Sequence, residues 1–562
     1  MEKNSPQHLA NASSRNGSVL VDDRPIGWLA NELFKVDWNP LVENRRFKPM
    51  EGHLEILNEH QNAPDEDWKR LYFRTKDGRF QWFASHCADE HPISDILLTG
   101  TTISANKDAW TISIRGGKED ANLVVRVPSN VFEKWHQALL SHASSSLVDA
   151  YIQPTWPPVP HRKNRVVLLE LGRHVISAGL LTQKPSLPYS YFPAFCAVGE
   201  QFDDKSGGTR TMVTSGVSAF VDHQTNSSGW HLKRPIELKD DGNVVEFDDN
   251  VLRAVLQRAL ISDAAMQANA MDIRFRPQDY LVLLAIPHTF PLRAASELLK
   301  LLLDTAQYGF KGVSIVRQPT LVLYSYDVTT GVVVDLGEEM AIVPVIDEFV
   351  VDDAVKIVPF GATQIREQMR KGVADLQQML AIFGGKDDEA AATAAEQLLL
   401  RYIVEKSCYV SANSIEEERS AGIKDALVEL VNRRHTLKVN GELRFMAPEG
   451  LFRPQLWALE LPGLHRMVHE AIQTCPIDSR RTLYRNIYLT GGTSQLRGLA
   501  ERLEHELAQL APASVPVQVL NSPWRRHSAY LGTHVIAAGD DFEKCCVNSK
   551  NLAEYLSRID GD

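Results

Sequence analysis

Two short stretches of this chain of 562 residues repeat one design. Residues 166–172 read VVLLELG and residues 331–337 read GVVVDLG. Each is an apolar run ending in an acid, one further residue and a glycine, and each is followed by a second apolar run. Continuous apolar runs of this kind suit strands buried on both faces, and the glycine allows the tight return. Around the two copies, strand patterns alternate with helical ones, the signature of an α/β fold. One copy is centred on Glu170 and the other on Asp335. Together they predict a duplicated core, with two lobes facing each other and a hairpin from each turned into the crevice. A hairpin of this shape can hold a phosphate or its metal, because backbone N–H groups converge where side chains are absent. The second copy continues with Glu338 and Glu339, which raises the question of whether an anion is still held there.

Upstream, the character of the chain changes. Residues 1–47 are polar without sustained periodicity and are expected to be a mobile arm, in which IGWLANELF can form one or two amphipathic turns. Residues 48–144 carry WKRLYFRT, RFQWFAS, DAWTISIRG and NLVVRVP, aromatic and β-branched runs separated by turns. A helix is predicted after Pro128. Ser129 or Asn130 can cap it, and Val131, Phe132, Trp135, Ala138 and Leu139 share one face. WKRLYF with DGRFQWF resembles the second and third strands of a pleckstrin-homology (PH) domain, and Trp135 resembles the tryptophan of its closing helix. The resemblance implies a β-barrel plus helix that docks a protein partner or a phosphoinositide. Lys48, Lys69, Arg70 and Arg74 are the basic side chains available for a lipid headgroup. Leu71 and Tyr72 interrupt the usual basic pair and Glu55 stands on the first strand, which favours protein docking. Residues 145–163 include four prolines between Pro154 and Pro160 and form a stiff linker. The larger unit is residues 164–562.

Charge and cysteine usage narrow the class. Lys plus Arg number 60 against 71 for Asp plus Glu, a net charge of −11, which argues against a general nucleic-acid binder. No apolar run approaches the roughly 18 residues that span a bilayer. The first residues lack the apolar core of a signal peptide. The six cysteines show no metal-ligand spacing and are too sparse for a disulfide scaffold. A reducing cytoplasm, or the nucleus, is the expected compartment.

Three stretches of the larger unit resemble the actin family. RVVLLELGRHVISAGLL, followed by FPAF, resembles the first phosphate hairpin. RQPTLVLYSYDVTTGVVVDLGEEMAIVPV resembles the second hairpin, and RRTLYRNIYLTGGTSQLRGLAERLEHEL a third nucleotide-contacting segment. RPIELKDDGNVVEFDD, VEKSCYV, PEGLFRPQL and SPWRRHSAYLGTHVIA follow the family's order, and TCPIDSRRTLYRN is closer to divergent actin-related proteins. The resemblance implies a duplicated, two-lobed actin-like ATPase fold, with ATP or ADP and Mg²⁺ as its cofactors.

Residue by residue, the carry-over is mixed. The first hairpin of actins is Asp-x-Gly-Ser-Gly with a lysine four residues after the serine. Here it reads Glu170-Leu171-Gly172-Arg173-His174, with Ser177 at the lysine position. The second is Asp-x-Gly-Asp-Gly, and here it is Asp335-Leu336-Gly337-Glu338-Glu339. A carboxylate held about 5 Å from a phosphate charge costs roughly 3 kcal/mol at an effective dielectric of about 20. Glu170 and Asp335 would hold Mg²⁺ through water. Gln318 matches the glutamine near the hydrolytic water, but no histidine precedes Val343-Pro344, so the family's positioned imidazole is missing. On the base and ribose side, Arg401, Glu405, Gly491, Gly492 and Thr493 match the family. Arg526 stands for a lysine, Leu496 for a stacking tyrosine and Val404 for a lysine. The hairpins thus favour weak or absent nucleotide binding. Glu338 and Glu339 are read either as a solvated hairpin tip or as phosphate-facing groups, and Arg173 with His174 either as a plug or as replacement charge.

The resulting expectation is a non-catalytic actin-related subunit of a cytoskeletal complex. Its actin-like face docks on actin or actin-related subunits, and the PH-like unit serves as partner or membrane adaptor. Two alternatives stay open: an ATP-hydrolysing actin-like switch, and a chromatin-remodelling subunit in the nucleus.

Overall fold

The computed structural model describes residues 25–36, 50–57, 68–76, 79–84, 92–98, 101–117, 121–144, 165–172, 174–182, 186–203, 208–225, 230–239, 244–271, 273–338, 340–358, 360–383, 389–411, 415–420, 422–522 and 524–559. Lys48, Arg173, Glu339 and the proline-rich stretch 145–163, all singled out in the sequence, lie outside the described residues.

The N-terminal unit is a seven-stranded antiparallel sheet. Its order is Ser94–Leu97, Arg79–Phe83, Trp68–Lys76, Glu51–Leu57, Ala121–Arg126, Thr111–Gly116 and Thr101–Asn106. Alternation sets the faces: Leu71, Phe73 and Thr75 point inward from the second strand, and Phe80 joins them from the third. The helix Phe132–Ser144 closes this core with Phe132, Trp135 and Leu139, and the Trp135 ring meets Phe80 edge-on at 6.0 Å. A closed barrel is not found. Next to the two edge strands, Ser94–Leu97 and Thr101–Asn106, the Thr101 amide and hydroxyl both donate to the Leu98 carbonyl. Among the described residues no ladder runs between them.

The larger unit contains the predicted duplication. In the first lobe the sheet runs Ser190–Pro193, Val175–Leu180, Val166–Leu171, Leu281–Ile286 and Gly312–Arg317. In the second it runs Phe349–Val350, Met340–Ile346, Gly331–Leu336, Ile487–Thr490 and Val519–Leu520. In both, an antiparallel hairpin gives way to parallel strands on the far side of the acid-bearing strand. Glu170 is thereby registered between Ser177 and Ala285, and Asp335 between Ala341 and Thr490. The central parallel strand Leu281–Ile286 is apolar and buried at every position, as suits a strand covered on both faces. Each lobe has its own core, and a third cluster built on the helices Gln318–Ser325 and Ser528–Ala538 lies between them.

Residues 25–33, placed in the N-terminal arm with one or two amphipathic turns, form a helix. Pro25 suits its first turn. Ile26, Leu29, Ala30 and Leu33 recur at helical spacing, and that stripe is buried against both lobes. Its neighbours are the helix Val217–Thr225 on the first-lobe side and the helix Glu389–Ser407 on the second. Among the described residues, no helix is long and apolar enough to cross a membrane.

Candidate functional site

The two hairpins meet over a cleft of about 560 Å³, within the range of small-molecule sites. Glu170, Gly172, His174, Gln318, Asp335, Gly337, Glu338, Arg401, Glu405, Gly491, Gly492, Thr493, Leu496 and Arg526 all line it. The structure therefore brings together every described residue that the sequence assigned to this cleft. What those side chains do there differs from the expectation in several cases.

Glu170 is held from two sides. Gln318, the first residue of its helix, donates Nε2 to Glu170 Oε1 at 3.0 Å, and Ser177 bonds the same carboxyl across the hairpin. Burial pushes the pKa of this carboxyl up, the Ser177 hydrogen bond opposes the rise and the facing Asp335 charge adds to it, with Gln318 opposing again; the carboxyl ends at about 7. In place of a cation, the lysine position supplies a hydroxyl. Glu170 and Asp335 nonetheless repel each other across the cleft, a pairing that a divalent cation would relieve. Among the described residues no third acid, histidine or cysteine joins them. The donor set thus suits a water-coordinated Mg²⁺ and not a metal gripped directly by the protein.

Glu338 lines the cleft but is not a free, solvated tip. Arg366 clamps it with both guanidinium nitrogens, Nη1 to Oε1 at 2.8 Å and Nη2 to Oε2, and Thr363 donates to Oε2 at 2.8 Å. The helix Ala362–Gly372 begins directly against the hairpin, where the Ala362 amide donates to the Gly337 carbonyl, and this puts Arg366 one turn away. Burial alone would raise the Glu338 carboxyl, but the Arg366 hydrogen bonds and charge, with His174 and Thr363, bring it down to about 2. His174 in turn accepts from Arg234 Nη1 at 2.6 Å through Nδ1, and Arg234 lies over the Phe195 ring.

At the end of the cleft that the resemblance assigns to base and ribose, the side chains are paired with one another. Arg401 Nε and Arg526 Nη2 both donate to Glu405 Oε1, at 3.0 and 2.9 Å. Burial opposes ionisation of Glu405, but the Arg526 and Arg401 charges win and hold the carboxyl below its ordinary range. Arg401 also bonds Tyr191 of the first lobe. Leu496 is nearly buried, and Thr493 Oγ1 donates to the Gly337 carbonyl at 3.4 Å. Gly491 has φ +85°, and a Cβ there would lie 2.5 Å from Asp335 Oδ1. No other residue type fits at that crossing. His288 faces the cleft from the loop after Leu281–Ile286, and burial lowers its basicity.

On the N-terminal unit the described basic candidates do not form one patch. Lys69 shares a face with Leu71, while Arg70 and Arg74 lie on the other. Arg70 is registered opposite Glu55. Arg74 donates to Gln81 at 3.1 Å and covers the Phe83 ring.

Sequence reasoning missed Arg366, Arg234, Tyr191 and the segment ending in Phe34 and Lys35, which also lines the cleft. The 3/4 spacing of Ile26, Leu29, Ala30 and Leu33 was the one available signal.

A two-lobed α/β core, duplicated about a cleft with one acid-and-glycine hairpin from each lobe, defines the class of actin-like folds. A sequence model of the actin family matches residues 161–559, most of the chain, and the protein belongs to that family.

Proposed function

We propose that this chain is a non-catalytic actin-related subunit of a cytoskeletal complex. The actin-like face docks on actin or actin-related subunits, and the N-terminal sheet and helix act as a PH-like adaptor toward a protein partner or a membrane. The observation that carries this reading is the commitment of the phosphate- and ribose-facing side chains to internal pairs. Glu338 is neutralised by Arg366, and Glu405 by Arg401 and Arg526. The cation that would meet a phosphate is replaced by Ser177, which is used on Glu170. Groups already satisfied by protein gain little from a ligand and lose their partners to admit one.

Two features favour a second reading, a nucleotide-dependent switch. Buried polar atoms around the cleft, Gln495 Nε2, Trp524 Nε1 and His527 Nδ1 among them, have no hydrogen-bond partner among the described residues. Glu170 and Asp335 suit hydrated Mg²⁺, which would supply charge neutralisation for a triphosphate.

The test is to purify the protein without added nucleotide, denature it and chromatograph the supernatant for adenine nucleotides. The subunit reading expects far less than one equivalent and no steady phosphate release. Stoichiometric ATP or ADP with continuous phosphate release establishes the switch instead.

A further inference from the structure

The segment just before the N-terminal sheet does more than pack. Its helix, Pro25–Leu33, touches the helix Val217–Thr225 from one lobe and the helix Glu389–Ser407 from the other. Trp28 meets Tyr402 edge-on at 5.5 Å. Immediately after the helix, Phe34 is only 6% exposed. Its ring lies 5.8 Å from Tyr191 of the first lobe, and the Arg401 guanidinium of the second lobe covers it at 4.9 Å. Lys35 then lines the cleft itself, and Val36 packs on the interlobe cluster that contains Leu187, Leu321 and Trp524.

We propose that residues 25–36 are a self-supplied occupant of the cleft mouth, a strap that ties both lobes in one closed arrangement. A nucleoside triphosphate has to displace it to reach the base and ribose end. The inference rests on the cleft being the family's nucleotide cleft, and it holds whether or not hydrolysis follows. Arg401 is its pivot. The same guanidinium reaches Glu405, Tyr191 and the Phe34 face, so the residue that the sequence matches to a ribose neighbour is engaged by the chain's own aromatic ring. Stacking of an arginine on an aromatic face is a favourable contact in a partly desolvated site. Displacement scales with occupancy: a strap docked 99% of the time weakens the apparent affinity of a competing ligand about a hundredfold.

The experiment compares the full-length protein with Phe34→Ala and, separately, Trp28→Ala. The two sites lie on different contacts, and thermal melting confirms that each variant folds. Hydrogen exchange reports the strap. Anisotropy of N-methylanthraniloyl-ATP with Mg²⁺ reports the cleft. The expected result is slow exchange over residues 29–36 in the unmodified chain, at least tenfold faster exchange in either folded variant, and at least tenfold tighter analogue binding with it. Rapid exchange of residues 29–36 in the unmodified chain overturns the strap. So does a released segment with unchanged affinity, including no binding in any form; that last result leaves the non-catalytic reading standing. Phosphate release by the unmodified chain would sink the non-catalytic reading without touching the exchange result.

Discussion

Replacing Arg366 with glutamine isolates the reason that the second hairpin can carry an acid. Glu338 and Arg366 retain only 22% and 15% of their side-chain exposure, so their interaction is weakly screened. The Glu338 carboxyl is brought from its ordinary 4.5 down to about 2. At about 1.4 kcal/mol per tenfold change, that difference contributes roughly 3 kcal/mol at neutral pH. Because the folded value is depressed, the contribution is complete above 4.5 and drains away as pH falls toward 2. In Arg366→Gln the partner charge is gone and burial remains, so the Glu338 carboxyl moves above its ordinary value. The variant is therefore expected to lose roughly 3 kcal/mol at pH 7, a typical cost of stranding a shielded charge. Part of that loss should be recovered between pH 7 and pH 5, where the stranded carboxyl protonates and the intact pair does not change. Urea unfolding at both pH values measures this, and a double-mutant cycle with Glu338→Gln extracts the coupling. A coupling below about 0.5 kcal/mol, with the two pH profiles parallel, would place the pair among ordinary surface salt bridges and refute the reasoning.

Other substitutions probe the remaining joints of the cleft. Glu170→Gln should raise the melting temperature at pH 8 by removing a carboxyl whose folded value, about 7, lies above its ordinary 4.5. That group stabilises fully below 4.5 and loses its contribution as pH rises through 7, so the gain reaches about 3 kcal/mol at pH 8 and disappears as pH falls below 4.5. Gly491→Ala should cost about 2–4 kcal/mol in thermal melts, since φ is +85° and the added Cβ meets Asp335 Oδ1 at 2.5 Å and the Leu336 carbonyl at 2.6 Å. Leu29→Ala should cost about 2–5 kcal/mol in urea unfolding if its fully buried position reflects a docked helix; a loss under about 0.5 kcal/mol means the helix does not dock.

What could be read in the sequence was local. The two hairpins announce themselves because a buried strand, an acid and a glycine are adjacent in the chain, and their duplication predicts two sheets of the same order. The helix Phe132–Ser144 was legible through its own apolar face. The Arg401–Glu405 pair follows from i,i+4 spacing on one helix. Arg366 was invisible for the opposite reason: its partner is 28 positions away, and the pairing exists only because the helix start abuts the Gly337 carbonyl. The Pro25–Leu33 helix was legible as one or two amphipathic turns in IGWLANELF, but its docking was not: nine residues are too few for a helix stable in isolation, and the tertiary contacts that order it lie far along the chain. The barrel expected for the N-terminal unit needed a ladder between two edge strands, and among the described residues none joins them.

The cleft also separates two kinds of inference that family membership tends to merge. A glycine lining a nucleotide cleft is usually credited to the ligand, which needs close backbone approach. Here Gly491 is required by Asp335 and Leu336 alone, because a Cβ would collide with both before any ligand arrived. Gly172 is likewise fixed by its own turn, where its amide donates to the Val175 carbonyl at 3.1 Å and a Cβ would sit 2.6 Å from that oxygen. These glycines would persist in a chain that never met a nucleotide, so they testify to the fold. Side chains carry the functional signal: Ser177 and Glu338, at positions suited to a phosphate, are each paired with protein groups of their own lobe, Glu170 and Arg366. The backbone of an actin-like cleft is therefore compatible with loss of the ligand, and the partners of Glu338 and Glu405 are the better guide to what the cleft can bind.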